Sequence, residues 1–368
     1  MNKLVVGNLV HRPLRSVISA FAVAIEVIMI LSIAAIMFGI LNNSRASTSG
    51  IGMDMIVRPG SGGALMNLSA AAADVRIANV LQAVPHVQVV APANVKLTIS
   101  SNVENISGID FASYNALRPF VFVAGGPFQG PFDIIYDDLQ AANGKGVHVG
   151  DTVKALNHSF RVCGIVEHGK GSRKFIPLTT MDDLDGTPGK AALFYLKTED
   201  APKYQEDVRR SILSTPGLSD WSVQTANEYL SMLTPERFPG FNIGLRVVIG
   251  IATVIGFLVI FQSMYTAVME RTREIGILKS MGAGQLDIVS MVLRETGLLA
   301  VVGVALGVGG TYLLQLALHH KFPTMAFEVT PLWVGLAVVI ALTGAFVGAC
   351  YPAFKAARKD PIDALSYE

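Results

Sequence analysis

The chain has 368 residues, 51% hydrophobic and only 15% charged, with a mean hydropathy of +0.47. A soluble domain of this size needs more charge to cover its surface, so long apolar segments joined to a more ordinary portion are expected. With a net charge of +1, nothing points to nucleic acid. Two cysteines, Cys163 and Cys350, are too few for a disulfide framework. They fall in segments expected in different compartments, so both read as free thiols.

Four apolar stretches reach the roughly 20 helical residues needed to cross a hydrocarbon core. After a segment at 1–16, the first span covers 17–41 and holds a single charge, Glu26. Its basic start resembles a signal peptide, but the apolar run is about twice a typical signal core and no A-x-A-like cleavage site follows. It reads as a signal anchor. Residues 42–243 form an insert with balanced charge and frequent turn signals: Gly60 to Gly63, Gly125-Gly126-Pro127, Asn143-Gly144 and Thr187-Pro188-Gly189. Apolar alternation predicts strands at 53–57, 87–90, 95–99, 160–166 and 193–196. Helical patterns cover 70–84 and 204–214. The stretch with Gly150-Asp151 as a turn and Phe160, Val162 and Ile165 as apolar positions reads as a small β-unit. The remaining spans, 247–268, 288–318 and 332–351, lie in a second region, 244–368, with a link at 269–287 and a tail at 352–368. The fold class expected is a membrane protein of four transmembrane α-helices, with one large α+β extracytoplasmic domain between spans one and two.

Lys and Arg beside the spans set orientation. Lys3, Arg12 and Arg15 precede span one; Arg271, Arg273 and Lys279 sit between spans two and three; Lys355, Arg358 and Lys359 follow span four. Between spans three and four there is only Lys321. Both termini and the 269–287 link are therefore expected in the cytoplasm, and the insert outside it.

The link is not a plain tether. Ile275, Ile277, Leu278 and Met281 recur at near-helical spacing among charges, giving a short helix an apolar stripe. Two readings fit: a helix seated in a partner's groove, with Ile275, Leu278 and Met281 filling it, or a helix lying on the bilayer or its own bundle. Gly282 is expected to permit the turn into span three. Glu26 lies about 16 Å along the helix from Arg15 at about 1.5 Å per residue, near mid-bilayer, where an acid is costly and points to function. A protonated acid bonded to a neighbouring helix, or one in a dimer interface, is the alternative. Arg294 can snorkel near its span end and Glu295 can pair locally. Gly303-x-x-x-Gly307 and Gly344-x-x-x-Gly348 place small faces on spans three and four for close helix packing. No HExxH, CxxC or nucleophile elbow is present. His158, Cys163 and His168 share one segment without ligand spacing, so no metal is expected. No Walker A pattern occurs; residues 185–191 lack the first glycine and the Ser/Thr after Lys190.

The string ERTREIGILKSMGAGQLDIVSMVLRETGLLAVVGVALG, the ending YPAFKAARKDPIDALSYE and the beginning NLVHRPLRSVIS together resemble MacB/FtsX-like ABC transporter permeases. The resemblance covers 1–45 and 244–368, and the insert by position and general style. It implies a dimer, of like or unlike four-span subunits, paired with ATPase subunits in a bacterial inner membrane. The coupling helix would lie within Glu270, Arg271, Arg273, Glu274, Ile275, Gly276, Leu278, Lys279, Met281, Gly282 and Ala283. No cofactor would sit on this chain, since ATP and Mg would be bound by the partner ATPase. The chain itself is then not an enzyme. Two functions follow: efflux or extraction by mechanotransmission, with a possible periplasmic adaptor, or an FtsX-like regulatory subunit that activates an extracytoplasmic partner.

Overall fold

The computed structural model describes residues 13–60, 73–99, 103–144, 146–234 and 241–358. The opening motif up to Arg12, residues 61–63 of the glycine-rich turn, the start of the helix expected at 70–84 and the closing motif from 359 lie outside the described residues. The chain divides into two compact units, one of residues 1–39, 240–321 and 326–368, the other of residues 40–239 and 322–325.

After a first helix, α1 (Pro13–Ile51), the chain enters the inserted domain through β1 (Met55–Arg58), β2 (Ala73–Asp74) and α2 (Ile77–Gln82). There follow β3 (Val87–Ile99), β4 (Val103–Ile109), α3 (Phe111–Leu117), β5 (Phe122–Gly125), β6 (Asp133–Asp137) and α4 (Asp138–Ala141). Next come β7 (Thr152–Ala155), β8 (His158–Val166), β9 (Lys174–Pro177) and α5 (Leu178–Leu184). The domain closes with β10 (Lys190–Ala191), β11 (Leu193–Thr198), α6 (Gln205–Ser214), β12 (Ser222–Thr225) and α7 (Ala226–Met232). Ten strands join one mixed sheet in the order β12-β1-β11-β3-β4-β9-β6-β8-β5, with β7 beside β8. Side chains start several helices: Asp110 accepts from Ser113 N, Asp137 from Gln140 N, and Thr225 and Glu228 form a reciprocal capping box.

The sheet is buried on both faces. Met55, Val57, Phe194 and Leu196 face a cluster closed by Leu81 of α2 and Val208 and Ile212 of α6. Their strand neighbours Ile56, Leu193 and Tyr195 face the other side, with Tyr114, Leu117 and Phe175. The two segments expected as separate strands at 87–90 and 95–99 are one strand. It passes through Pro92, which pairs with Phe194 of β11 at a level where β4 has not yet joined the other side. The missing N–H of proline is therefore tolerated.

The second unit adds α8 (Phe241–Glu270), α9 (Thr272–Ser280), α10 (Gln285–Lys321) and α11 (Pro331–Arg358). With α1, helices α8, α10 and α11 are long and apolar enough to cross a membrane. The shortest has 28 residues, about 42 Å at about 1.5 Å each, beyond the roughly 30 Å of hydrocarbon. Helix is the form that satisfies every backbone group within one segment in lipid. A stripe of alanines at every fourth position of α11, Ala337 to Ala353, is 0–2% exposed and centres the bundle. The glycines of α10 lie against α1: a Cβ at Gly303 would stand 2.6 Å from the Ala20 carbonyl oxygen, and one at Gly307 2.7 Å from the Val27 Cβ. Gly348 lies similarly against α8, 2.9 Å from the Phe257 carbonyl oxygen. Gly344 differs, because nothing stands closer than 3.9 Å to the place of its Cβ.

Gly307→Val should force α10 off α1 and cost about 1–3 kcal/mol, as overpacking does. Thermal unfolding of the purified chain in detergent should show a clear drop in melting temperature for Gly307→Val. Gly309→Ala, where nothing lies within 4 Å, should melt like the parent. Equal melting of Gly307→Val and the parent would mean that the two helices do not touch.

Candidate functional site

The 270–283 link leaves α8 at Arg271, whose backbone (φ −107, ψ 19) breaks the helix, and re-forms as α9. Thr272 Oγ1 donates to the Met269 carbonyl at 2.8 Å across that break. At the far end Gly282 adopts φ +100, and its N–H donates to Lys279 O while Ala283 N–H donates to Leu278 O, both at 3.0 Å. This is the Schellman arrangement, which favours a residue without a Cβ at Gly282. Gly284 N–H donates to Asp287 Oδ2 at 3.0 Å as α10 begins.

The two faces of α9 differ in kind. Arg271, Thr272, Ile275 and Gly276 are buried, and Ile275 joins Val268, Ile288, Val292 and Ala356 in the core of the bundle. Leu278 and Ala283 pack against the same cluster. The stripe expected to fill a partner's groove is therefore turned inward at Ile275 and Leu278. Helical periodicity marks a buried face without saying which neighbour buries it. The outward face carries Arg273, Glu274, Ile277, Ser280 and Met281, with Met281 71% exposed and Ile277 43%. Ile277, set aside in favour of Ile275, is the outward apolar residue at i−4 from Met281. Glu270 and Arg294 are also exposed.

Arg271 Nη1 pairs with Glu295 Oε2 of α10 at 3.0 Å, and both side chains are buried. Glu295 thus pairs across 24 positions, with a partner that no spacing rule on one helix could find. Lys279 Nζ donates to the Ala357 carbonyl at the end of α11 at 2.9 Å. These bonds tie α9 to two membrane-length helices.

Glu26 is 4% exposed, and its Oε1 has no hydrogen-bond partner among the described residues. Gly256 of α8 makes room for it, since a Cβ there would overlap the carboxylate. In the inserted domain His158, Cys163 and His168 hold separate partners. His158 Nδ1 meets Leu156 O at 2.9 Å, His168 Nδ1 meets Asp138 Oδ1 at 2.9 Å, and Cys163 Sγ points to Ile134 O. Burial pushes the Cys163 thiol up to about 12, which makes it a poor nucleophile. No group of three metal-ligating side chains occurs among the described residues. Asp182, 1% exposed, has its carboxyl pushed up to about 7 by burial, with Asn94 donating to it at 2.5 Å as an opposing influence.

Four membrane-length helices, an α+β domain inserted after the first, and a short link helix locked into the bundle define a multi-span membrane protein with one large inserted domain. A family model of the MacB-like periplasmic core domain matches residues 16–211, and one of the FtsX-like permease C-terminal region matches 246–361. The chain belongs to this MacB/FtsX-like family of ABC transporter permeases. It is 28% identical over 236 residues to an ABC transporter permease of Methanocaldococcus jannaschii, covering 60% of this chain and 58% of that protein. It is 27% identical over 232 residues to the macrolide export ATP-binding/permease protein MacB of Escherichia coli K12, covering 60% of this chain and 35% of that one. The chain thus matches less than two thirds of the length of these relatives. The periplasmic region of MacB from Actinobacillus actinomycetemcomitans is similar at 17% identity and a TM-score of 0.38, over 49% of this chain and 92% of that one.

Two outcomes are expected. Glu295→Ala strands a buried guanidinium and should cost about 3–5 kcal/mol, whereas Arg271→Met with Glu295→Leu should regain most of it. Denaturation in detergent measures both, and equal stability of Glu295→Ala and the parent would remove the pair from the core. The second outcome concerns pH. With Asp182 near 3.8 unfolded and about 7 folded, its contribution to stability is full below about 4 and lost as pH rises through about 7. Asp182→Asn should flatten the melting profile of the inserted domain in that window; an unchanged slope would exclude Asp182 as its source.

Proposed function

We propose that this chain is the permease subunit of an ABC transporter in which a separate ATPase chain works on α9. Motion passed through α9 and the bundle moves the inserted domain and drives efflux or extraction of a substrate. The observation that carries this reading is the division of α9 into two faces. The inner face is fixed by Ile275, the Arg271–Glu295 pair and Lys279, and the outer one presents Ile277 and Met281 among Arg273, Glu274 and Ser280. A helix so anchored moves with the bundle when its outer face is pushed. Apolar side chains ringed by charges on that face suit a groove on a partner protein.

In this reading ATP and Mg belong to the partner, and the permease works as a homodimer or heterodimer in a bacterial inner membrane. Both termini and α9 face the cytoplasm, supported by the Lys and Arg around the spans. The inserted domain then faces outward, where an adaptor can meet it.

The test separates the two faces. Ile277→Asp and Met281→Asp should each weaken association with the co-encoded ATPase by about 1.5–3 kcal/mol, roughly 10- to 100-fold. Their melting temperatures should match the parent. Leu278→Asp should lower both association and melting temperature, because its side chain packs on the bundle core. A pull-down and ATPase assay in lipid reads the first quantity. Full association and substrate-stimulated turnover in Met281→Asp and Ile277→Asp would discard α9 as the coupling element. ATP-dependent stimulation of an extracytoplasmic enzyme partner, with no transported substrate, would favour the regulatory function instead.

A further inference from the structure

Towards the end of the bundle where α8 gives way to α9, a groove of about 540 Å³ is lined by Phe257, Phe261, Gln262, Tyr265 and Tyr351. One wall is a ladder of rings. Phe257, Phe261 and Tyr265 follow one another by single turns of α8, their centroids 6.1 and 6.0 Å apart, and Tyr351 of α11 meets Phe261 at 5.8 Å. The ladder ends in a charge. Lys355 stands one turn beyond Tyr351 on the same face of α11. Its Nζ donates to Tyr265 OH at 2.9 Å and lies 4.7 Å from the centre of that ring. That bond leaves two of the three ammonium N–H groups, and the residue is only partly covered. None of the lining residues is acidic, and Gln262 is exposed beside them. From Arg271, where α8 breaks, Tyr265 and Phe257 lie about 9 and 21 Å back along the helix at about 1.5 Å per residue. One leaflet is about half of a roughly 30 Å core, so the ladder descends through a single leaflet with Tyr265 and Lys355 at its headgroup end.

We propose that this groove binds one anionic phospholipid of the surrounding bilayer. An acyl chain lies along Phe257, Phe261 and Tyr351, and the phosphate accepts from Lys355 Nζ. Charge decides the occupant. An ammonium held at headgroup level above an apolar trough is complementary to a molecule with an anion at one end and hydrocarbon below it. A hydrogen bond between charged partners is among the stronger ones available. A zwitterionic lipid brings its own cation to the same place and gains less. A helix of a second copy would cover the rings with hydrocarbon and leave the ammonium unanswered against it. A phosphate without tails answers the ammonium and leaves the rings bare. The site uses neither the outer face of α9 nor the inserted domain, so its test needs no nucleotide or ATPase and is separate from the coupling reading above.

The full chain, purified in detergent, is titrated separately with dioleoyl phosphatidylglycerol, dioleoyl phosphatidylcholine and glycerol 3-phosphate, and bound molecules are counted by native mass spectrometry. Phosphatidylglycerol should saturate near one molecule per chain and bind about fivefold or more tighter than phosphatidylcholine. Glycerol 3-phosphate should not be retained. Lys355→Gln should bring phosphatidylglycerol down to the level of phosphatidylcholine, and Lys355→Arg should restore the preference, which a merely structural role for Lys355 would not require. Gln262→Trp, which fills the groove from an exposed position, should weaken both lipids. Equal binding of the two lipids by the parent, an undiminished preference in Lys355→Gln, or unchanged binding in Gln262→Trp would overturn the site. Retention of glycerol 3-phosphate equal to that of phosphatidylglycerol would reduce it to a phosphate site. Disulfide cross-linking between copies in membranes through Gln262→Cys and Tyr351→Cys would give the groove to a second chain, and either result would sink the proposal.

Discussion

Lipid tails are as apolar as leucine, so hydrocarbon supplies no hydrophobic push between helices, and a bundle in it is held by close approach. The helical unit follows from that constraint. Alanines at every fourth position of α11 and glycines at 303, 307 and 348 remove side-chain bulk where helices meet, and dispersion between backbones replaces it. The charged residues follow as well. Once helices approach this closely, Arg271 and Glu295 are shut away from water and must find each other, and Glu26 needs a neighbour with no side chain.

The link helix belongs to the same packing. Its outer residues are free to recognise a partner because its inner residues are spent on the bundle. Arg271 stands at the break after α8, so the pair with Glu295 holds the break itself. Gly282 holds the other end with a backbone conformation that other residues resist. Between those fixed ends α9 has nine residues and little freedom to bend. In the coupling role proposed above, a force on Met281 would pass to the ends of α8 and α10.

How much of this was legible in the sequence differs by element, for physical reasons. The spans were plain because a membrane imposes length and apolarity on contiguous residues. The inserted domain was less so. Strand β6 escaped because it is buried on both faces, and residues such as Ile134-Ile135-Tyr136 then show no alternation to detect. Strands β4, β5 and β12 were missed too, since short or polar strands depend on pairing with distant neighbours. In the link the amphipathic pattern was visible and its direction was not. Ile275 and Ile277 are equally apolar, and only the position of α10 and α11 decides which is covered. Gly256 went unnoticed among many membrane glycines, since its role depends on a carboxylate 230 positions earlier.

That last pairing has an evolutionary consequence. Position 256 and position 26 share one volume, so their histories cannot be independent. Alanine at 256 requires the carboxylate to swing aside while the acid is kept, and needs no such movement once the acid has been shortened or lost. The substitutions are therefore easier in one order than in the other. A drifting descendant of this chain would cross from one state to the other through a loosely packed intermediate with glycine at 256 and no acid at 26.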